Sequence, residues 1–304
     1  LTDDPSPTIP GAIMFSEFFQ FSFSGITLGA IYALVALGFT LIYNASHVIN
    51  FAQGEFLMIG GMGTVVLMDA GAPIYLAIPG AIVMAGIAGV LLHKLAIAPA
   101  KNADVVTLII ITIGASIFLR GLAQIFWGKD YHALPAFSDT ESLSVGGAVL
   151  LTQSLWILGI AALLVTALGL FFTRTALGKA LLATSMNKDA ASMVGIKTGA
   201  ILTLAFGIAA LLGAVAGVIV APITFTAYDI GIMLGLKGFI AAAIGGLGSS
   251  TGAILGGLLL GLAEAYTAGY ISSDYKDAVP FVLILVILFF LPNGLLGSRA
   301  VERV

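Results

Sequence analysis

The sequence predicts an all-α fold, a polytopic transmembrane helical bundle, from its composition and its hydrophobic patterning. Charged residues make up 9% and hydrophobic residues 60% of the 304 positions, and the mean hydropathy is +1.12. An average soluble domain carries about 25% charged residues, so this chain lacks the charges that a water-facing surface needs. The 38 glycines suit packed transmembrane helices, whose backbones approach each other closely at small residues.

Apolar runs follow one another along the whole chain, and a run of about 20 residues is enough to cross a bilayer. They predict eight or nine spans in one domain, 1–304. The candidate spans cover about 18–43, 48–68, 74–98, 105–127, 149–172, 199–221, 230–247, 251–270 and 279–291. The segment 230–247 is rich in glycine and carries Lys237. It can be a short span or a re-entrant pair of half-helices near 230–250, buried in protein or lining a cavity.

The distribution of Lys and Arg predicts the orientation, because cytoplasmic loops are enriched in both. Eight basic residues can share the cytoplasmic side: Lys94, Lys101, Arg174, Lys179, Lys188, Lys197, Arg299 and Arg303. The other side holds a mixed group: Lys129, Lys276, Asp130, Asp139, Glu141, Asp274 and Asp277. The N-terminus, with Asp3, Asp4 and Glu17, joins this external side, and the C-terminus is cytoplasmic. The first 17 residues of the chain lack the basic region of a cleavable signal peptide.

Two loops are long, an external one at about 128–148 and an internal one at about 173–198. The internal loop contains "SMNKDAASMVGI", residues 185–196. Read as one helix, it has an apolar face formed by Leu182, Met186, Ala190, Met193 and Val194. Lys188 and Ser192 fall on the opposite face, and Gly195 suits the helix end. The pattern fits an interfacial helix with Lys188 near lipid phosphates, or a helix whose apolar face sits in a groove on a cytoplasmic partner.

Polar and ionisable residues within the predicted spans are candidates for function, because such residues are costly in a membrane. Asn50 and Gln53 are three apart and predicted to share a helix face, with Glu55 beside them. They either cap a short helix near the cytoplasmic edge or act in gating and solute passage. The stripe Thr112, Ser116 and Arg120 is predicted to face the interior. Its alternatives are hydrogen bonding between helices, with Arg120 snorkelling outward, and a place on the translocation path.

Two further sites have structural and functional alternatives. Lys237 is predicted to form a salt bridge, or to contact carbonyls at a helix break, in preference to contacting a solute. Glu264 shares a face with Gly257, Gly261 and Ala268, which predicts a tightly packed helix–helix or subunit interface.

Several chemistries are disfavoured by the sequence. There is no cysteine, and His47, His93 and His132 are scattered without metal-site spacing, so no metal site is predicted. "GAS", at 114–116, has no histidine base at its depth. No basic patch indicates nucleic acid. "TALGKA" and "GGLGSSTG" both lack the G-x-x-x-x-G-K-[ST] phosphate loop, so we expect any ATP-driven motor to lie on another chain.

Longer motifs carry a resemblance to a known family. The chain reads "GITLGAIYALVALGFTLIY" and "INFAQGEFLMIGG" near its start, then "TIGASIFLRG" and "ALPAF". Its most diagnostic block is "GLKGFIAAAIGGLGSSTGAILGG", and "YKDAVPFVLILVILFFLPNGLLG" follows. Almost end to end, the chain resembles the LivH-like permease subunits of branched-chain amino acid type ABC importers.

The resemblance implies a non-enzymatic transport subunit in the bacterial inner membrane, in contact with lipid. A second related permease subunit, two ATP-binding subunits that carry ATP and Mg, and an external solute-binding protein would be its partners. The segment 175–196 would be the coupling helix, which involves Met186, Asn187, Lys188, Asp189, Ala190, Met193, Val194 and Gly195. Its "KALLATSMNKDA" departs from the family's Arg-Ala-x-Ala/Ser-x-Asp/Asn run, so contacts with the ATPase can differ.

The solute implied by the resemblance is a branched-chain or other neutral amino acid, with urea, short amides and aromatic acids as alternatives. A different class of protein stays open from the residues alone. A self-sufficient channel or ion-coupled carrier would need a buried ion site on broken helices.

Overall fold

The computed structural model describes residues 10–100, 103–138, 142–145 and 148–297, with side chains for 16–100, 103–138, 142 and 149–297. The described residues form eleven α-helices and one two-stranded hairpin. The helices are α1 Pro10–Ser46, α2 Gln53–Asp69, α3 Ile74–Leu92, α4 Val105–Trp127, α5 Thr152–Arg174, α6 Ala176–Met186, α7 Lys188–Met193, α8 Thr198–Thr224, α9 Ile230–Gly245, α10 Ser250–Tyr270 and α11 Val279–Phe290. A π-helical turn, His93–Ile97, continues α3, and a 3-10 helix, Ser273–Ala278, precedes α11.

Several helix ends follow from the local sequence. The Asp104 side chain accepts a hydrogen bond from the Thr107 amide at the start of α4, and Thr175 caps α6 through the Gly178 amide. Ser249 caps α10 in the same way. Side-chain oxygens at this position satisfy amides that have no partner within the helix. Outside the spans, the hydrogen bonds from Thr107 also lower the pKa of Asp104 below its usual value.

Six of the described helices are long and apolar enough to cross a membrane, namely α1, α3 with its π-helical turn, α4, α5, α8 and α10. The predicted spans at 48–68, 230–247 and 279–291 contain shorter helices, of 17, 16 and 12 residues. A full crossing takes about 20 residues. The structure therefore confirms a helical, polytopic membrane architecture, while the number of eight or nine crossings stays a prediction.

Within the glycine-rich segment near 230–250, residues 230–245 form one continuous helix, α9. Of the two alternatives that the sequence left open, the structure therefore does not contain a pair of half-helices there. The glycines allow close packing instead of a break. A Cβ atom at Gly238 would overlap the Val35 side chain of α1, and one at Gly245 would overlap the Gly252 backbone of α10. A backbone turn follows only at Gly246, where φ is +100°.

The core of the bundle forms around α1. Ile31, Leu34, Val35 and Ala36 of α1 are buried in one cluster that also contains buried residues of α5, α8, α9 and α10. Helix α2 packs on α8, where a Cβ atom at Gly217 would overlap the Leu57 carbonyl. Backbones in contact at small residues are typical of membrane helices.

The outer helices keep large apolar side chains on the surface. On α4, outside the residues that line the cavity described below, these include Val106, Ile110, Phe118, Ile125 and Phe126. Such a face suits lipid, because lipid tails are as apolar as these side chains.

The long loop at 128–148 contains a feature that the all-α prediction missed. Strands β1 Leu143–Val145 and β2 Ala148–Leu150 pair antiparallel, and His132 pairs with Thr226 in an isolated bridge to the α8–α9 connection. Of the charges used to predict orientation, Asp3, Asp4, Lys101, Asp139, Glu141, Arg299 and Arg303 lie outside the described residues.

Candidate functional site

A short non-helical stretch between α1 and α2 places three polar side chains inside the bundle. Helix α2 begins at Gln53, so the prediction that Asn50 and Gln53 share a helix face is wrong. The Asn50 carbonyl and its Oδ1 instead accept hydrogen bonds from the Gln53 and Ala52 amides, at 3.1 and 3.2 Å. Gln53 Nε2 donates to the Ala209 carbonyl at 2.9 Å. Ala209 lies near the middle of α8. The start of α2 is therefore deeper in the bundle than the position near the cytoplasmic edge that the capping alternative predicts.

The polar stripe of α4 faces this stretch, as the sequence predicts. Thr112 is buried, and its Oγ1 accepts a hydrogen bond from the Phe51 amide at 3.2 Å. Ser116 Oγ donates to Glu55 Oε1 at 2.7 Å. Side chains of α4 thus hold both the connecting stretch and the first turn of α2.

Arg120, one turn after Ser116, lines a cavity of about 250 Å³. The cavity is lined by Phe39, Phe51, Glu55, Ile113, Ser116, Ile117, Arg120, Gly231, Ile232, Gly235 and Leu236. Arg120 and Asp229 both interact electrostatically with Glu55, with opposite signs, and the ion pairs found among the described residues include neither Glu55 nor Arg120. The glycines let α9 approach α2, since a Cβ atom at Gly235 would lie 2.8 Å from the Gly54 Cα.

Lys237 and Glu264 form a second polar cluster. Lys237 Nζ lies 3.0 Å from Glu264 Oε1 and 2.8 Å from Asp277 Oδ1. The Tyr32 hydroxyl donates to Glu264 Oε2 at 2.7 Å. In the 3-10 helix outside the spans, the hydrogen bond from Lys237 lowers the pKa of Asp277 below its usual value. The structure therefore agrees with a salt bridge for Lys237, which is not among the residues that line the α4 cavity.

The small-residue face of α10 packs on α1. A Cβ atom at Gly257 would lie 2.5 Å from the Ala33 amide nitrogen, and one at Gly261 would overlap the Gly29 backbone. For this small-residue face, the sequence predicts either a helix–helix interface or a subunit interface. The structure contains a helix–helix interface within the chain.

The internal loop forms two helices, so the prediction of a single amphipathic helix is wrong. Asn187 has extended backbone angles, φ −159° and ψ 107°, and its side chain accepts a hydrogen bond from the Ala190 amide. An Asn side chain favours this capping role over the helix interior. The predicted end at Gly195 is confirmed by its φ of +88°. The Ile196 amide donates to the Ala191 carbonyl at 3.1 Å, as in a Schellman motif.

The apolar side chains of this helix pair point away from the bundle. Met186, Met193 and Val194 are 88%, 85% and 77% exposed, whereas Ala191 and Leu181 are buried and anchor the pair. Leu181 belongs to the same core cluster as Leu92 and Ile97.

Basic residues collect at this end of the bundle. Lys188 lines a cavity together with His47, His93 and Thr198, and both Lys188 and Lys94 interact electrostatically with His93. Lys94 and Lys188 thus share one end, as the orientation prediction requires.

Comparison with known proteins identifies the family. The family described as "Branched-chain amino acid transport system / permease component" matches residues 21–288. The chain belongs to this family.

Two similar permeases cover nearly all of this chain. The Escherichia coli (strain K12) high-affinity branched-chain amino acid transport system permease protein LivH is 36% identical over 307 residues, which cover 95% of this chain and 99% of LivH. BraD, the corresponding permease protein of Pseudomonas aeruginosa, is 35% identical over 92% of this chain and 96% of its own. The autoinducer 2 import system permease protein LsrC of Yersinia enterocolitica is 31% identical over 64% of this chain and 54% of LsrC.

Sequence reasoning missed several residues of this permease that surround the predicted ones. The sequence did not predict that Tyr32 joins the Lys237 cluster. Nor did it predict that Phe39, Phe51 and two glycines of α9 line the cavity. The spacing of Gly231 and Gly235, four apart, was a usable signal, because it indicates a small face for close helix contact. The aromatic residues gave no comparable signal, since most apolar side chains of a membrane helix look alike in sequence.

Proposed function

We propose that this permease and a second, related permease subunit form the translocation path of an ATP-binding-cassette importer. Its solute is a small polar molecule, a branched-chain or other neutral amino acid in the first place, with urea, an amide or an aromatic acid as alternatives. An external solute-binding protein delivers the solute, and two separate ATP-binding subunits drive its uptake. The chain itself catalyses no reaction.

The observation that carries this proposal is the exposed apolar face of α6 and α7. Both ends of α7 are fixed within the chain, by Asn187 at its start and Gly195 at its end. The helix therefore presents Met193 without needing a partner to order it. Methionine is common at protein-binding surfaces because its side chain adapts to the partner. Lys188 and Asp189 are adjacent and both exposed on this short helix, so their charges offset each other and the exposed methionine decides between the two alternatives. We therefore favour a protein groove over the lipid interface.

The energy source supports a multi-subunit assembly. The sequence has no phosphate-cradling loop, so ATP and Mg would bind to the partner subunits and this chain would hold no cofactor of its own. Closure of two ATPases would then move α6 and α7 of both permease subunits.

The α4 cavity is the proposed part of the translocation path. Glu55, Ser116 and Arg120 line it, and Thr112 binds the amide of the lining residue Phe51. Asn50 and Gln53 belong to the same connecting stretch and first turn of α2, although the Gln53 side chain donates to α8. The cavity wall contains Glu55 and Arg120, and charged side chains are costly against lipid. A second permease subunit covering this side would remove that cost. The alternative of a self-sufficient ion-coupled carrier loses its support, since α9 is continuous instead of broken.

The names of the relatives support the solute class only in part. LivH and BraD are named for branched-chain amino acids and LsrC for autoinducer 2. We place this permease in the bacterial inner membrane, with an external N-terminus and a cytoplasmic C-terminus.

The double change Asp189→Ala with Met193→Lys tests the coupling role. It puts a charge into the proposed ATPase contact, so we expect at least a tenfold loss of uptake, by the ~1.4 kcal/mol per decade scale. We expect normal membrane insertion. We also expect the rate of ATP hydrolysis to become independent of added solute. Co-purification of the ATPase, ATP hydrolysis and uptake in proteoliposomes measure these effects.

The matched control is Asp130→Ala with Tyr131→Lys, an exposed pair near the opposite end of the bundle, which should retain the ATPase. If α7 only lies among lipid headgroups, the added lysine of the test variant leaves assembly and uptake intact. That result, or transport by the purified chain without any ATPase, contradicts the proposal.

A further inference from the structure

A second cavity, here named the α7–α8 cavity, lies at the end of the bundle that carries Lys188. Helices α1, α6, α7 and α8 and the π-helical turn after α3 contribute to its wall. Its volume of about 480 Å³ falls within the ~300–1,000 Å³ range of small-molecule pockets. Lys188, His47 and His93 line it, and none of its described lining residues is an Asp or a Glu. The cavity therefore favours an anion over a cation.

The start of α8 adds hydrogen-bond donors to this cavity. Thr198 and Gly199 are the first two residues of the 27-residue helix, and both line the cavity. The side chain of Lys197, which precedes them, does not cap the helix. The Thr198 and Gly199 amides have no backbone partner among the described residues. Free amides at a helix N-terminus carry partial positive charge and are suited to bind an anion.

His93 has a fixed orientation beside these donors. The residue is only 4% exposed, begins the π-helical turn and lines the cavity. Its Nδ1 lies 2.9 Å from Thr203 Oγ1, and Thr203 Oγ1 donates its own hydrogen to the Gly199 carbonyl. Because a hydroxyl has one hydrogen to donate, the hydrogen between the ring and Thr203 belongs to Nδ1.

The other ring nitrogen, Nε2, is free to contact a ligand. It has no hydrogen-bond partner among the described residues and is not fully enclosed by protein, so the open space that it reaches is the cavity that His93 lines. In a neutral ring with hydrogen on Nδ1, Nε2 is an acceptor. Lys94 and Lys188 both act electrostatically on His93, and their positive charges disfavour a third one on the ring. The cavity thus combines donors for an anion with one acceptor that needs a hydrogen from the ligand.

This combination discriminates among anions. Inorganic hydrogen phosphate carries both anionic oxygens and an O–H group at neutral pH. Sulfate and the phosphodiester of a lipid headgroup carry only oxygens without hydrogen on the sulfur or the phosphorus, so they would leave His93 Nε2 without a donor. A phosphomonoester loses its last hydrogen with a pKa of about 6, so most of it also lacks the O–H group at neutral pH.

We infer that the α7–α8 cavity is a binding site for inorganic hydrogen phosphate. Lys188 and the amides of Thr198 and Gly199 donate to the anionic oxygens, and the P–OH group donates to His93 Nε2. The inference goes beyond the proposed function, since this ion is not the transported solute. Its site shares no lining residue with the α4 cavity of the proposed translocation path.

Competition for radiolabelled phosphate tests the inference on the unmodified protein. The full chain in phosphatidylcholine nanodiscs is dialysed to equilibrium against the label at neutral pH. Unlabelled phosphate, sulfate and glycerophosphoglycerol, a soluble phosphodiester headgroup, serve as competitors. We expect sulfate and glycerophosphoglycerol to need concentrations at least about tenfold higher than phosphate for half displacement, the difference that one hydrogen bond to a charged group supports.

Three results of this competition overturn the inference without any variant. The first is no binding of the label at millimolar phosphate. The second is sulfate that displaces the label as well as phosphate does, which would show that the O–H group plays no part. The third is equal displacement by glycerophosphoglycerol, which would assign the site to a lipid headgroup instead of the free ion.

Two variants then separate the acceptor from the donors. His93→Phe keeps an aromatic ring but removes Nε2, so it should weaken phosphate binding about tenfold, to the level of sulfate, and leave sulfate unchanged. Lys188→Gln should weaken both anions, and Lys188→Arg should restore both. Lys179→Gln, which removes an exposed cation of α6 outside the cavity lining, is the matched control and should bind as the unmodified chain does.

The variants give two further ways to contradict the inference. If His93→Phe is folded and still prefers phosphate to sulfate, Nε2 is not the acceptor. If Lys179→Gln weakens phosphate binding as much as Lys188→Gln, the ion responds only to the general positive charge of this end of the bundle, and the cavity is not its site.

Discussion

Lys237 and Glu264 form an ion pair between α9 and α10, with 3.0 Å between Lys237 Nζ and Glu264 Oε1. Both residues are buried, and Tyr32 of α1 donates a further hydrogen bond to Glu264. A buried pair gains little over two apolar residues, but removing one partner leaves a charge that the low-dielectric interior penalises. Asp277 also lies 2.8 Å from Lys237, but it is half exposed, so the packing of the three helices depends mainly on Lys237 and Glu264 being charged together.

Removing one charge of this pair should be much more harmful than removing both. We expect Lys237→Met to lower the free energy of unfolding by about 3–5 kcal/mol, because Glu264 then lacks its cation. The double change Lys237→Met with Glu264→Gln should recover most of that loss. Thermal unfolding of the purified protein in detergent, followed by circular dichroism, measures both. A double variant as unstable as the single one would contradict a paired role.

Residue-level prediction succeeded where one residue type has a single strong conformational preference. Gly195 was expected at a helix end and adopts φ +88°. Asn187 was placed inside a helix, although Asn is also a favoured N-cap. The hydrophobic spacing of Met186, Ala190 and Met193 favours one continuous helix over that signal. In the structure the helix is interrupted at Asn187, whose side chain accepts a hydrogen bond from the Ala190 amide.

At the level of elements, contacts between glycine and backbone set the distance between helices. Gly257 of α10 faces Ala33 of α1, so close that a Cβ atom would lie 2.6 Å from the Ala33 Cα. Such a contact has no flexible side chain that could move aside. Helix α1 can therefore lie in its place only while α10 presents a glycine at this position.

A single added methyl group should separate α1 from α10. We expect Gly257→Ala to destabilise the protein by about 1–3 kcal/mol, the usual effect of overpacking, visible as a lower midpoint of thermal unfolding. Gly121→Ala on α4 is the matched control, because nothing lies within 4 Å of the added Cβ atom. Alanine is the better helix former by about 1 kcal/mol, so this control should be neutral or slightly stabilising. Equal destabilisation of the two variants would contradict the packing argument.

Prediction of the elements depended on their length and surroundings. Long lipid-facing helices such as α4 and α5 follow from composition, because the bilayer sets both their length and their polarity. The short helices α2 and α9 are largely buried in protein, so no membrane thickness fixes their ends. Helix α11 is mostly exposed but has only 12 residues. The β1–β2 hairpin is three residues per strand, too short to show an alternating pattern in the sequence.

At the scale of the whole molecule, the α4 cavity combines a part that sequence can predict with a part that it cannot. The interior-facing stripe from Thr112 to Arg120 follows from helical spacing and the cost of polar groups in lipid. That Glu55 meets Ser116, 61 positions further along the chain, depends on how α2, α4 and α9 pack. Spacing within one helix contains no information on such contacts.

The proposed importer also requires one orientation of the entire bundle. Lys94 and Lys188 share an end with α7, and the α9–α10 turn lies near the last turn of α1, where Asn44 donates to the Gly248 carbonyl. Helix α10 runs from this turn toward the 3-10 helix that contains Tyr275, which therefore lies at the other end. The positive-inside rule predicts that the lysine-rich end faces the cytoplasm, where the proposed ATPase would reach Met193.

Single-cysteine labelling can check this orientation, because the chain contains no cysteine of its own. Leu177→Cys on α6 and Tyr275→Cys in the 3-10 helix both replace exposed side chains, at opposite ends of the bundle. In intact cells, we expect a membrane-impermeant maleimide to label the cysteine at 275 at once and the cysteine at 177 only after permeabilisation. The reverse pattern would put α6 and α7 outside the cell, away from any ATP, so it would contradict both the orientation and the coupling role of the exposed methionine face.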